Sequence, residues 1–218
     1  MGSLEQSTAL SWLDRLRDRL HAPGRRRAAA AALYQAVVEQ ARLPVFYAAW
    51  GVPDSREGRL EMVSLHAVLA MRQLRDEGRP GQLLAQTLFD LMFKDVDRHL
   101  REWGVGDLSV GKQVKTLAHH FLGRAAAVDP LLDGSDPAAM DALLRRSVYE
   151  GVVEPRAADV RRLGLYLCAQ HAQLAAADGG ALLAGRIQFA APEQAGEHCD
   201  GDVSTFGQSR VDPRKLQA

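Results

Sequence analysis

The chain has 218 residues with 27 basic and 27 acidic side chains, so its formal net charge is zero. A chain of this length buries about 70% of its unfolded surface and needs neither disulfides nor a metal to fold. Zero net charge excludes a nucleic-acid binder driven by bulk electrostatics, so no DNA partner is expected, although a local basic stripe stays open. The two cysteines, Cys168 and Cys199, stand outside any CxxC or Cys/His ladder. That argues against a disulfide framework or zinc module and makes a reducing compartment the expectation. Charged residues interrupt every window near the roughly 20 residues a membrane crossing requires. Leu10-Ser11-Trp12-Leu13 runs straight into Asp14, Arg15, Arg17, Asp18 and Arg19, which does not read as a secretory signal.

Residues 1–27 read as a separate basic arm. Leu13, Leu16 and Leu20 recur at helical spacing between arginines, and six Arg against three acids give a net charge of +3. A solvated arm and a surface helix for anionic lipid or ribosomal RNA both fit this pattern. From residue 28 to 190 the punctuation is that of one compact all-α domain. Leu33, Val37 and Ala41 mark a helix from Ala28 to Arg42, stopped by Pro44. An aromatic connector, Pro44 to Pro53, carries Phe46, Tyr47 and Trp50. Leu60, Val63, Ala67, Met71 and Leu74 predict an amphipathic helix ending at Gly78 and Pro80. The next helix carries Leu84, Leu88, Leu91, Val96, Leu100 and Trp103, and Gly104 supplies its stop.

Val110, Val114, Leu117 and Phe121 predict a further helix, with Asp107 or Ser109 as its cap. Asp136-Pro137 signals another start, followed by Met140, Leu143, Leu144 and Val148 up to Gly151. A last long helix covers Ala157 to Ala177. No strand-like alternation appears. Residues 191–218, rich in Gly, Glu, Asp and Ser, read as a mobile tail.

No catalytic, cofactor or metal constellation is read. Gly106 to Lys112 satisfies GxxxxGK, but Gln113 stands where a phosphate-binding loop needs Ser or Thr, and a helix precedes it where a strand is required. His119 and His120 are adjacent and point to different helix faces; His66 and His171 read as core or boundary histidines, and Cys168 as a small core residue. The polar residues crowd between Lys94 and Arg124. Asp97 with Arg101, and Arg98 with Glu102, are i,i+4 partners, and Asp95 reaches Arg98 or His99. Beyond the glycine corner of Gly104, Gly106 and Gly111, the residues Lys112, Lys115 and His119 form a basic stripe.

Several of these stretches resemble the ubiquinol–cytochrome c chaperone family. They are Leu43-Pro44-Val45-Phe46-Tyr47, Gly51-Val52-Pro53-Asp54, Gly58-Arg59-Leu60-Glu61-Met62 with His66, and Phe89 to Arg98. Leu100-Arg101-Glu102, Gly104 to Lys112, Val114-Lys115 and the Phe121-x-Gly123-Arg124-Ala125 element continue the likeness, which spans about residues 30–188. It implies a non-enzymatic, all-helical assembly factor for the cytochrome bc complex. The family's mitochondrial members bind newly made cytochrome b, work with a small partner subunit and associate with the ribosome near the tunnel exit; in a bacterial member the small partner can be absent.

A client of long apolar helices calls for an accommodating groove with a polar rim. The expectation is that Phe46, Tyr47 and Trp50 form or buttress that groove. Asp97, Arg98, Arg101, Glu102, Gly104, Gly106, Asp107, Gly111, Lys112 and Lys115 would supply the rim, and residues 1–27 could reach an anionic membrane surface. Abundant Ala and a high Arg-to-Lys ratio point to a bacterial cytoplasm with peripheral contact at the inner membrane; a eukaryotic source would mean a mitochondrial matrix. A helical small-molecule- or haem-binding enzyme and a ribosome- or membrane-docking adaptor are the alternatives.

Overall fold

In a computed structural model, residues 23–192 are described. All but residues 23–27 of the expected arm, and all but residues 191–192 of the expected tail, lie outside them. The first helix, α1, covers 23–41, so Arg25, Arg26 and Arg27 belong to it and the helix expected from Ala28 is already formed at Pro23. The helix buries Ala30, Leu33, Val37 and Ala41, and the chain turns before Pro44 as that residue requires.

The aromatic connector contains a short helix, α2 (Pro44–Ala48), with proline in its first turn. Helix α3 (Arg56–Asp76) follows, its first turn capped by the Ser55 side chain accepting from Gly58 N. The spacing had pointed to an amphipathic α3. Instead residues 64–70 are all buried, including Ser64 and His66. A helix covered on every side is the centre of a domain, and its polar residues need internal partners. Helix α4 (Gly78–Glu102) folds back along α3. It buries Leu84, Leu88, Met92, Phe93 and Leu100, whereas Trp103, expected on the same stripe, is 49% exposed.

Helix α5 (Asp107–Val128) packs on α4 and runs into a 3-10 turn, Asp129–Leu131. Helix α6 (Pro137–Arg145) begins as expected, with Asp136 accepting from Ala139 N at 2.8 Å. It ends at Arg145, and turns carry the chain through Val148 and Tyr149 to Gly151. Helix α7 (Ala157–Ala175) packs against α3 and α6, and a short α8 (Gly179–Leu183) is capped by Asp178. No strand occurs among the described residues, and no helix among them is long and apolar enough to cross a membrane.

One polar network locks the helices around α3. The carbonyl of Met62 only accepts, so His66 Nδ1, 2.7 Å away, carries the proton. His66 Nε2 then accepts from the Tyr166 hydroxyl at 2.8 Å. Tyr166 accepts in turn from Gln40 Nε2 at 2.9 Å. Gln170 donates to the Ala190 carbonyl and accepts its N–H, fastening the segment after α8 to α7. Burial holds the His66 imidazolium down to a pKa of about 4, partly offset by the Met62 carbonyl. This is a satisfied core histidine. Its network joins α1, α3 and α7 without exposing a titratable group.

Candidate protein-binding site

Two of the aromatic residues expected near a partner are part of the core. Phe46 is wholly buried and Trp50 is 4% exposed. Phe46 stacks edge-on with Trp50 and Tyr166, each at 5.2 Å between ring centroids. The Trp50 carbonyl accepts from the Tyr149 hydroxyl at 2.8 Å. These two side chains are taken up in the core and offer no area to line a groove. Tyr47 is half-buried, its hydroxyl donating to the Ala41 carbonyl at 2.7 Å and its ring lying 5.2 Å beneath the Arg59 guanidinium. Burial raises its pKa despite that guanidinium.

The α4–α5 corner is built by a backbone motif and one arginine. Gly104 adopts φ +81°. Its N–H bonds the Arg101 carbonyl at 3.0 Å, and the Val105 N–H bonds the Leu100 carbonyl at 3.1 Å. Together these close the end of α4 in the two-bond arrangement that a left-handed residue permits. Neither Asp107 nor Ser109 caps α5. Gly106 occupies the N-cap without a side-chain bond, and Asp107 is turned back toward α4, where Arg101 donates to it. Arg101 also donates to Asp97 at 2.7 Å, so a single guanidinium spans the corner. That bond holds the Asp97 carboxyl below its ordinary range and raises Arg101.

Of the two partners expected around Arg98, Asp95 is the one it bonds. Its guanidinium donates to Asp95, while Glu102 reaches it only as a nearby charge. Asp95 also accepts from the Tyr34 hydroxyl at 2.9 Å, and His99 Nδ1 stands 3.4 Å away. Trp103 lies 4.4 Å beneath the Arg56 guanidinium and beside His99. The GxxxxGK stretch is helical from Asp107 onward. Its inner backbone N–H groups serve α5 and form no phosphate cradle.

Helix α5 rides high on the molecule. Val110, Phe121 and Val128 are its buried side chains, and Val114, Leu117, Ala118 and Ala125 pack partly against the core. Beneath it a narrow cleft is lined by Leu60, Met92, Phe93, Val96, Leu117 and Phe121. Glu61 and Arg124 clasp the helix to α3 with bonds of 2.9 and 3.3 Å. Beyond its end, Asp129 accepts from Arg72 at 2.6 Å and Arg75 at 3.2 Å. Lys112, Lys115, His119, Gly106 and Gly111 are exposed, as expected for a stripe facing away from the core. Among the described residues, no group of three or more His, Cys, Asp or Glu side chains is placed to hold a metal.

The fold and this surface define an all-helical domain with a hydrogen-bonded His66 network at its centre, a polar corner and one helix whose outer face is exposed. The ubiquinol-cytochrome C chaperone family model matches residues 48–189, about two thirds of the chain, and the protein belongs to that family. The matched span leaves out Phe46 and Tyr47 and begins later than the likeness read from residue 30. Ubiquinol-cytochrome c reductase complex assembly factor 1 of Mus musculus is 23% identical over 128 residues, which cover 59% of this chain and 43% of that protein. The Homo sapiens protein is 24% identical over the same shares, so the alignment spans less than half the length of these curated relatives. The crystal structure of the Cbp3 homolog from Brucella abortus superposes with a TM-score of 0.74. It is 35% identical, with 82% of this chain and 98% of that chain covered.

Proposed function

We propose that this protein is an assembly chaperone of the ubiquinol–cytochrome c reductase complex that holds newly made cytochrome b until it is built into the enzyme. The observation that carries this reading is the family match across residues 48–189. A client with long apolar helices aggregates unless its apolar surface is covered, and a protein that covers it needs surface more than a cavity. The α4–α5 unit supplies such a surface, with Asp97, Arg98, Arg101, Glu102, Gly104, Gly106, Asp107, Gly111, Lys112 and Lys115 as its polar contacts. Phe46 and Trp50 hold the wall beneath the neighbouring α2–α3 connection.

Deletion of the protein in its source organism tests the reading. Reduced-minus-oxidised spectra of the membranes should lose the b- and c-type haem signals of the bc complex, with terminal oxidases intact. Tagged protein should carry cytochrome b with it from cells in which synthesis is still running. Normal bc complex in the deletion strain would refute the proposal.

A further inference from the structure

The outermost ridge of α5 has a composition that the fold does not require. At 100° per residue, Leu108, Lys112, Lys115, His119, Leu122 and Ala126 lie on one line opposite the buried Val110, Phe121 and Val128, and all six are exposed. Leu108 is fully exposed and Leu122 is 54% exposed, separated by about 21 Å at 1.5 Å per residue. After Asp107 the helix contains no acidic residue. Arg124 has Glu61, whereas Lys112 and Lys115 have no carboxylate partner among the described residues. Gly111 and Gly123 flank the ridge, and a Cβ added at either would meet nothing within 4 Å. Nothing inside the molecule therefore asks for glycine there.

Resting on the chaperone reading above, we infer that this ridge docks an acidic polypeptide segment of the client. That segment would carry carboxylates opposite Lys112 and Lys115 and an apolar side chain at each end to meet Leu108 and Leu122. The two glycines let its backbone come closer than side chains would allow. An anionic bilayer is the weaker match. Lipid-binding patches gather about four to eight cations, each adding about fivefold to partitioning, and a fluid headgroup layer gains nothing from flanking glycines.

The test uses the purified full chain and a labelled 16-residue helical peptide with leucine near each end and three glutamates between. Binding should weaken about tenfold or more in Lys112→Glu/Lys115→Glu. A peptide with lysines in place of the glutamates should recover it on that variant. Gly111→Ala/Gly123→Ala should weaken the original peptide severalfold while the protein stays folded. Binding indifferent to the charge reversal overturns the inference. So does a reversal that affects only sedimentation with phosphatidylglycerol–phosphatidylcholine vesicles. Cytochrome b recovered equally by wild type and the Lys112→Glu/Lys115→Glu variant would also sink it. Cytochrome b absent from the wild type as well would instead sink the chaperone reading.

Discussion

Replacing Gly111 and Gly123 together by alanine should make the isolated protein more stable. Both positions lie inside α5, neither has a positive φ, and neither offers a neighbour within 4 Å of an added Cβ. Alanine in an exposed helix interior gains about 0.8–1 kcal/mol over glycine, much of it by restricting the unfolded chain. The two sites are about 18 Å apart along the helix, far enough for their effects to add. The pair should therefore gain about 1.5–2 kcal/mol, which for a chain of this size raises Tm by about 4–6 °C. Differential scanning calorimetry reads the shift directly. Gly81→Ala is the internal contrast, because its Cβ would fall 1.9 Å from the Leu74 carbonyl oxygen and the variant should melt lower than wild type. A double variant no more stable than the parent would refute the reasoning, since it would mean that the fold itself needs these glycines.

Three further outcomes follow from the same geometry. An unfolded histidine takes up its proton near pH 6.5, but His66 in the folded core does so only near 4. The unfolded state therefore binds more protons between those values. The stability this burial preserves is intact above about pH 6.5, and about 3 kcal/mol is lost as pH falls to 4. Urea titrations from pH 7 to 4.5 should show that slope shallower in His66→Gln, and an unchanged slope would mean the imidazole is not buried neutral. Gly185→Ala should cost about 2 kcal/mol or more by chemical denaturation. Its φ of +83° is strained for alanine, and the new Cβ would lie 2.7 Å from Ala29 Cα. Arg124→Met should cost about 1–2 kcal/mol by leaving the quarter-exposed Glu61 carboxylate unpaired. A double-mutant cycle with Glu61→Gln that shows no coupling would remove the clasp from the description of α5.

The all-α class and most helix ends were legible because their causes are local. Asp136 with Pro137, Gly104 after α4, and Pro44 after α1 act within a few residues, so the chain announces them wherever the rest of the fold lies. The burial of α3 was not legible. Its apolar positions at three- and four-residue spacing describe one face, and the arrival of α4, α5, α7 and α8 around it explains why Ser64, His66 and Gln73 are also covered. Pairings across long separations were equally hidden. Tyr34 with Asp95, and Glu61 with Arg124, join residues more than 60 positions apart. Local spacing was right for Asp97 with Arg101 and for Asp95 with Arg98 and His99, but it also gave Arg98 to Glu102 and could not see that Tyr34 converges on Asp95.

The placement of polar groups divides the molecule by task. Around α3 every strong polar residue of the His66 network has an internal partner, and Phe46 and Trp50 spend their aromatic area on one another and on Tyr166. On α5 the balance is reversed. Three buried side chains, the partly covered Val114, Leu117, Ala118 and Ala125 and the Glu61 clasp hold the helix in place, while Leu108, Gly111, Lys112, Lys115, Leu122 and Gly123 are exposed. Glycine in an exposed helix interior lowers the stability of a free domain. The position of these leucines, lysines and glycines on one helix, beside the charged α4–α5 corner, is what the docking proposed above would use.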